Sequence, residues 1–405
     1  MVIFGILVGL VVLMTLVIAH EWGHFIAARK SGVVVEEFGI GFPPKAWAKK
    51  LKSGLVLSLN WLPIGGFCKM KGEADSAKGK GTYGAASFWQ KTKILFAGVV
   101  MNWLVAVVIF TILALFGMPR ILENQFTVPS DTKSNFGAVE VQKVVEGSPA
   151  EQAGIKNGFE VGSIGGEAVN QAADVSALTK KYAGQKIVVE YTIPKGYKME
   201  DISVVCIQAP CPTITYLTSE AITKTALVQL NTESSDKGYL GVSVGSSETL
   251  QSTWSAPIVG AGLTLQFTGE TFKGLGVMLG NLFSGIFKQF SFNAETREQG
   301  KSAISSAGDG VTGPVGILGI IFPSAVQSGG VTILLFAGII SLSLAVMNVL
   351  PIPALDGGRW LLMVIFRLRK KELTEEKEGK IVSTSFMVLL GLAAVITVLD
   401  ITRLV

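Results

Sequence analysis

The chain has 405 residues, of which 49% are hydrophobic and only 16% are charged, and its formal net charge is +5. This apolar content lies above that of soluble globular proteins, so the composition argues against an ordinary soluble enzyme. The Lys and Arg residues concentrate beside apolar segments instead of forming a soluble basic stripe, which argues against nucleic-acid binding. The length predicts two or three domains.

The first predicted element is an uncharged apolar helix from Val2 to Ala19. A run of this length is just sufficient to cross a bilayer. No basic segment precedes the run, and cleavage after it would remove or expose the polar motif that follows. We therefore expect a retained membrane span and not a cleaved signal peptide.

Both histidines of the chain lie directly after this run, in the motif His20-Glu21-Trp22-Gly23-His24. If the helix continues, the two imidazoles lie one turn apart on one face and can share a Zn²⁺. The glutamate can then act as general base on water that the metal activates. The alternatives are core histidines and a chance match. Three such polar groups at membrane depth are costly, so the pattern favours the metal site of an intramembrane protease.

Residues 33–71 are predicted to form short strands and turns, because apolar and aromatic runs such as Phe38–Pro44 and Trp61–Phe67 are interrupted by Gly and Pro. The segment is too apolar for a solvent loop, so we expect a small sheet that dips into the membrane beside the active site. An exposed strand edge there could pair with an extended substrate. The alternative is a surface hairpin without a substrate role.

The second predicted span covers about 94–117 and contains Asn102. An asparagine in a membrane helix either bonds to a neighbouring helix or contacts substrate, and the residues leave both roles open.

The insert from about Thr127 to Val244 has soluble character, and within it Val141–Glu167 predicts a strand, a turn, a short helix, a turn and a strand. The spacing of Cys206 and Cys211 permits a disulfide without requiring one, whereas Cys68 is predicted to be a free thiol. The Gly-rich and nearly uncharged stretch 255–290 predicts an amphipathic helix on the outer membrane surface.

The third and fourth predicted spans cover about 331–350 and 381–399. The third ends in Asn348-Val-Leu-Pro-Ile-Pro-Ala-Leu-Asp356-Gly-Gly358, where prolines break the helix and paired glycines permit a tight turn. Such a turn could bring Asp356 to the histidines as the third protein ligand of a catalytic zinc. On the residues alone, a helix-end cap explains Asp356 equally well.

The basic residues predict the orientation of the chain in the membrane. They cluster between Arg29 and Lys93 and again in the loop after the third span. By the positive-inside rule both loops are cytoplasmic, which places both termini and the long insert outside the cytoplasm.

Taken in order, these motifs resemble the site-2 protease family of intramembrane zinc metalloproteases, in particular its bacterial members with an outer PDZ domain. The matching pieces are His20–His24, the Gly-x-Gly-Phe-x-Pro and Pro-x-Gly-Gly-Phe pieces of the 33–71 loop, Gly147–Ala150 with Ala153-Gly154 and Gly158, Thr312–Ile317, and Asn348–Gly358. The second-span motif departs from the family by a valine where a proline is common, and residues 185–237 match no family pattern.

The resemblance implies a role for each matching residue. His20, His24 and Asp356 match the zinc ligands, and Glu21 matches the catalytic base. Contact with the substrate or with the developing oxyanion is implied for a further set: Asn348, Asn102, Gly39 and Gly41.

The predicted fold is a polytopic α-helical membrane protein with about four transmembrane helices, a membrane-associated β-loop and an inserted extracytoplasmic PDZ-like α+β domain. The predicted boundaries are 1–28 for the first transmembrane helix, 29–93 for the cytoplasmic-side β-loop region, 94–118 for the second transmembrane helix, 119–245 for the PDZ-like domain, 246–330 for an amphipathic membrane-surface region, 331–358 for the third transmembrane helix, 359–380 for a cytoplasmic loop and 381–405 for the fourth transmembrane helix.

By resemblance, the chain is expected to be a zinc endopeptidase of the bacterial cytoplasmic (inner) membrane. Its substrates would be single-pass membrane proteins, such as anti-sigma factors or remnant signal peptides, already trimmed by an upstream site-1-type protease. The PDZ domain would act as a size filter. A membrane zinc transporter and a catalytically inactive PDZ scaffold are the alternatives, and neither needs a general base beside the first histidine.

Overall fold

The computed structural model describes residues 2–201, 214–217, 220–233, 238–291, 293–309 and 313–404. The chain divides into two compact units. We call the first the helical unit, and it comprises Met1–Met118, Asn124–Asp131 and Ser252–Val405. The second is the sheet unit, and it comprises Pro119–Glu123 and Thr132–Gln251.

The helices in the described part of the chain are α1 (Val2–Lys30), α2 (Phe88–Phe116), α3 (Pro149–Gln152), α4 (Ala172–Lys181), α5 (Ala256–Gln289), α6 (Ala294–Asp309), α7 (Pro314–Gly316), a π-helical turn (Ile317–Ile321), α8 (Phe322–Ser328), α9 (Gly330–Val349), α10 (Asp356–Leu368) and α11 (Glu375–Leu404). The strands are β1 (Val35–Lys50), β2 (Val56–Met70), β3 (Met118–Pro119), β4 (Lys133–Val144), β5 (Glu160–Ile164), β6 (Glu167–Ala168), β7 (Lys186–Ile193), β8 (Lys198–Asp201), β9 (Ile214–Leu217), β10 (Ile222–Gln229) and β11 (Val242–Gln251).

Four helices of the described residues are long and apolar enough to cross a membrane: α1, α2, α9 and the part of α11 from Glu375 to Val398. This confirms the expected four apolar helices. The first one continues past its apolar run to Lys30. The histidine motif therefore lies on an unbroken helix.

The central helix of the helical unit is α2, which packs against α1, α5 and α9. It begins with a reciprocal cap, since the Ser87 hydroxyl accepts from the Gln90 backbone N–H while the Gln90 side chain accepts from the Ser87 backbone N–H. Its C-terminal half forms a buried core, in which Phe110 lies with Leu263 of α5 and Leu342 of α9. These contacts fix α2 as the support against which α1 is placed.

The stretch predicted as an amphipathic membrane-surface helix is a single helix, α5. The first half of this helix is partly buried, because Val259 and Leu263 pack into the core beside α2. The helix start is held by Asp131, whose Oδ2 accepts from the backbone N–H of Thr253 at 2.8 Å and of Ser255 at 2.9 Å. Whether α5 lies at a membrane surface stays a prediction.

A bent antiparallel pair, β1 and β2, forms the predicted small sheet. Residues 38–40 pair with Gly66–Cys68 on one side and with Leu57–Leu59 on the other, so they form its interior. In these pairings the segment Gly66–Met70 has a strand partner on one side only, which leaves it as an edge.

The sheet unit has its own hydrophobic core. Its strands run in the order β10-β7-β5-β4-β11, all antiparallel neighbours, and β6 pairs with β5. Fully buried Val141, Ile164 and Val189 lie at its centre. The proposed cysteine pair, Cys206 and Cys211, lies outside the described residues, whereas Cys68 is a free buried thiol, as predicted.

Candidate active site

Three donor atoms from α1 and α10 converge at one point of the helical unit. The Nε2 atoms of His20 and His24 lie 3.1 Å apart. The Oδ2 atom of Asp356 lies 3.2 Å from Nε2 of His20 and 3.4 Å from Nε2 of His24. The structure thus brings together the two histidines and an aspartate that lies far along the chain.

The arrangement fits a tetrahedral metal ion. Ligands about 2.0–2.1 Å from a tetrahedral zinc lie about 3.3 Å from one another, which is the spacing of these three donors. The Oδ2 atom of Asp356 is also buried without a hydrogen-bond donor, which is costly for a carboxylate unless a cation faces it. Two imidazoles and a carboxylate are a donor set that zinc accepts.

A hydrogen bond to the neighbouring helix orients His24. Its Nδ1 atom lies 2.8 Å from the backbone carbonyl oxygen of Ile94 in α2. Because a carbonyl can only accept, Nδ1 carries the proton and Nε2 keeps its lone pair. The lone pair points to the centre of the three donors, as a metal ligand requires.

Gly98 of α2 makes room for both rings. A Cβ atom at this position would lie 2.5 Å from Nε2 of His24 and 2.6 Å from Cε1 of His20. Gly23 of α1 allows the backbones of α1 and α2 to approach closely, since a Cβ atom there would lie 2.3 Å from the carbonyl oxygen of Ala97. Gly98 was not among the residues that the sequence predicted for the site.

The turn between α9 and α10 delivers Asp356. As predicted, prolines follow the end of α9 at Val349. The helix α10, which begins at Asp356, was not predicted, because its residues were assigned to the end of the third span (331–358) and to a loop (359–380). A Cβ on Gly357 would lie 2.1 Å from the carbonyl oxygen of Val349, and one on Gly358 would lie 1.9 Å from that of Ile352. The two glycines therefore allow α10 to start directly against the preceding turn, with the carboxylate facing α1.

Polar contacts fix the first turn of α10 from the other side. The Arg359 guanidinium lies 3.4 Å from Oε1 of Glu378 in α11 and donates to the carbonyl oxygen of Glu73. The other oxygen of Glu378 accepts from the backbone N–H of Asp75, whose carboxylate pairs with Lys91 of α2. This network is mostly buried and ties α2, α10 and α11 together three residues beyond Asp356.

A cavity of about 450 Å³ opens beside the three donors. Glu21 and the edge segment Gly66–Met70 line it. The backbone N–H of Cys68 lies within hydrogen-bonding range of the Glu21 carboxylate. Burial first, and then the negative charges of Glu21 and Glu73, raise the pKa of the Cys68 thiol to about 12.

Of the other residues predicted to contact the substrate, one lines this cavity and three do not. Asn348 lines it, and its side-chain amide donates to the carbonyl oxygen of Leu344 in its own helix. Asn102 is buried behind the histidines, and its amide nitrogen lies 3.4 Å from Nδ1 of His20. Gly39 and Gly41 are not among the lining residues. The first has strand partners on both sides, and the carbonyl of the second accepts from the Asn60 side chain.

Comparison with known proteins gives one family for nearly the whole chain. Residues 8–392 match the model of Peptidase family M50. A Clostridium perfringens protein named as a candidate zinc metalloprotease is 28% identical over 396 residues, 98% of each chain. The zinc metalloprotease RasP of Shouchella clausii is 24% identical over 474 aligned positions, 96% of each chain. The regulator of sigma-W protease RasP of Bacillus subtilis is 25% identical over 471 positions, 96% of each chain.

Proposed function

This chain belongs to peptidase family M50 and is a zinc metalloprotease whose described residues include four helices able to cross a membrane, and we propose that it cuts peptide bonds within or near the membrane-spanning segments of single-pass membrane proteins. The observation that carries the proposal is the position of Glu21. Its side chain lines the cavity beside the three converging donors, at the end of the apolar run of α1.

In this proposal His20, His24 and Asp356 hold the zinc. The bound ion would supply Lewis-acid chemistry, lowering the pKa of water and polarising the scissile carbonyl. Glu21 accepts the proton of the attacking water and then donates it to the leaving amine. Asn348, once released from the Leu344 carbonyl, donates its amide hydrogens to the developing oxyanion.

Substrate binding is proposed at the strand edge Gly66–Met70. A membrane helix cannot be cut while its carbonyls are all hydrogen-bonded, so a substrate must unwind at the cleavage site. The backbone N–H groups of this edge are already partly engaged, since that of Cys68 meets the Glu21 carboxylate and that of Met70 donates to Oε1 of Glu73 at 2.7 Å. A substrate strand that displaces these two contacts would pair with the edge, which offsets part of the unwinding cost and holds the peptide extended along the cavity. Gly39 has strand partners on both sides, so the substrate contact is proposed at the edge segment and not at that glycine.

The sheet unit is proposed to be the PDZ-like domain that filters substrates. A groove of about 700 Å³ runs between α4 and the residues Gly238–Val244, which include the start of β11. Such a groove between a helix and a strand suits an extended peptide end. Ser176→Trp, which would narrow this groove, is expected to change the cleavage of untrimmed substrates and leave that of short substrates unaltered.

The proposed location is the bacterial inner membrane, with both termini and the sheet unit outside the cytoplasm. The basic residues between Arg29 and Lys93 support this orientation. The Bacillus subtilis relative is named a regulator of sigma-W protease, which supports a regulatory role for the proposed cleavage. An upstream protease that trims the substrate first is part of the proposal on the family resemblance alone.

The test compares the purified wild type, Glu21→Gln and Asp356→Ala in liposomes that contain a tagged single-pass substrate. We expect cleavage to be lost in both variants, and zinc to be retained by Glu21→Gln but weakened in Asp356→Ala. Glu295→Gln removes an exposed carboxylate of α6 and serves as the matched control. Cleavage that persists in Glu21→Gln would overturn the mechanism, and zinc transport that survives in it would favour a transporter.

A further inference from the structure

Asn102 is a buried side chain that the proposed chemistry leaves without a role. It is 1% exposed and does not line the cavity, so it faces the back of the site. Its amide nitrogen lies 3.4 Å from Nδ1 of His20, and its Oδ1 atom is buried without a hydrogen-bond donor. A buried amide oxygen without a hydrogen-bond donor costs free energy at membrane depth. Its position next to His20, a proposed metal ligand, indicates a role that offsets this cost.

Zinc binding imposes a requirement on His20. A histidine that binds zinc through Nε2 carries its proton on Nδ1, and this N–H needs an acceptor that fixes the tautomer and the ring orientation. For His24 the acceptor is the carbonyl oxygen of Ile94. For Nδ1 of His20, the partner found among the described residues is the side chain of Asn102.

We propose that Asn102 is a positioning residue whose Oδ1 accepts the hydrogen bond from Nδ1–H of His20 and so holds Nε2 toward the zinc. Rotation of the amide by 180° about its Cβ–Cγ bond exchanges the nitrogen and the oxygen and places the unpaired acceptor against the histidine. The inference rests on the proposed function, in which His20 is a zinc ligand.

The side of α2 that meets the histidines explains why position 102 is an asparagine. Ile94, Gly98 and Asn102 follow one another at four-residue spacing, so they lie on one side of the helix and all meet the histidines. The first supplies a carbonyl acceptor, the second supplies space and the third supplies a side-chain acceptor. The backbone carbonyl of Asn102 in turn accepts from the Ser341 hydroxyl at 2.8 Å, which anchors this position to α9.

The test measures the zinc affinity of the purified full chain by competition with a chromophoric chelator. The variants are Asn102→Leu and Asn102→Ala, which remove the acceptor, and Asn102→Asp, which keeps one. Thr264→Val is the matched control, because it removes a buried hydroxyl that donates to the Gly260 carbonyl oxygen of its own helix, α5. We expect the two apolar variants to bind zinc about 10–100-fold more weakly, the usual cost of losing such an outer partner. Asn102→Asp should restore the affinity, and Thr264→Val should leave it unchanged.

A spectroscopic readout separates positioning from general loss of structure. The chain contains two histidines, so ¹⁵N-labelled imidazoles give two zinc-dependent Nδ1–H signals. Asn102→Leu should shift or broaden one of them and leave the other, and Thr264→Val should leave both. Equal zinc affinity in wild type and both apolar variants, or two unaltered signals in Asn102→Leu, would overturn the inference.

The two proposals fail differently. If wild type binds zinc and loses it in Asp356→Ala while Asn102→Leu binds as wild type does, the assignment of Asn102 is wrong and the proposed function stands. If zinc binding is indifferent to Asp356→Ala as well, the proposed ligand set itself is wrong.

Discussion

Gly98 lies directly against His24, so that a single added Cβ atom would come to 2.5 Å from Nε2, the proposed zinc-binding nitrogen. This distance is shorter than any side-chain carbon tolerates, and the obstructing group would be an imidazole that is itself held by Ile94. The identity of one residue on α2 therefore controls the position of a donor on α1.

We expect Gly98→Ala to displace at least one imidazole and to lower both zinc affinity and cleavage by about 100-fold, the upper range for residues that position metal ligands. Metal analysis of the purified variant and cleavage of a tagged substrate would measure this. Gly269→Ala on α5 is the matched control, because its Cβ would meet nothing within 4 Å. Full zinc content in Gly98→Ala would contradict the steric argument.

Gly358→Ala is expected to disturb the start of α10. Its Cβ would lie 1.9 Å from the carbonyl oxygen of Ile352, so the turn must open and Asp356 must move. Overpacking of this kind costs about 1–3 kcal/mol of unfolding free energy. Thermal unfolding and zinc titration should both report the loss, whereas Gly330→Ala, whose Cβ meets nothing within 4 Å, should report neither.

Glu378→Gln tests the polar network that supports α10. The substitution leaves Arg359 without its carboxylate partner in a mostly buried place, and we expect a loss of about 1–3 kcal/mol of stability. Glu376→Gln lies on the same helix and removes an exposed ion pair with Lys380, so it should cost well under about 1 kcal/mol. Equal melting temperatures of the two variants would show that the network does not support the fold.

The Cys68 thiol is predicted to be almost inert to alkylation in the folded protein. Only the thiolate reacts, and a pKa of about 12 leaves a very small thiolate fraction at pH 8. In a background with Cys206 and Cys211 replaced by Ser, maleimide labelling should be slow in the folded protein and fast after denaturation. Because the pKa is raised, the labelling rate of the folded protein should still increase with pH above 8. Rapid labelling at neutral pH would mean that the thiol is exposed.

The sequence predicted the parts of the site that depend on local pattern. The helical spacing of His20 and His24 places two donors on one face, and the Pro and Gly residues before and after Asp356 indicate a sharp turn. Their meeting depends on the packing of α1 and α10 against α2. The residues alone left a helix-end cap equally open for Asp356, and the family resemblance favoured the ligand role.

Other features had no local signal. The acceptor for His24 is a backbone carbonyl, that of Ile94, and any residue type provides one. The interior position of Gly39 follows from a strand register that bulges set, and one residue of shift exchanges the faces of a strand. The first half of α5 has the composition of a membrane-surface helix, and its burial depends on the partner surface that α2 offers.

The three donors have an order along the chain that bears on biosynthesis. His20 and His24 emerge from the ribosome first, and Asp356 follows only after the sheet unit and α9 have been made. A nascent or truncated chain that ends before α10 has two donors and binds zinc poorly. The proposed ligand set would thus delay proteolysis until α10 has been made.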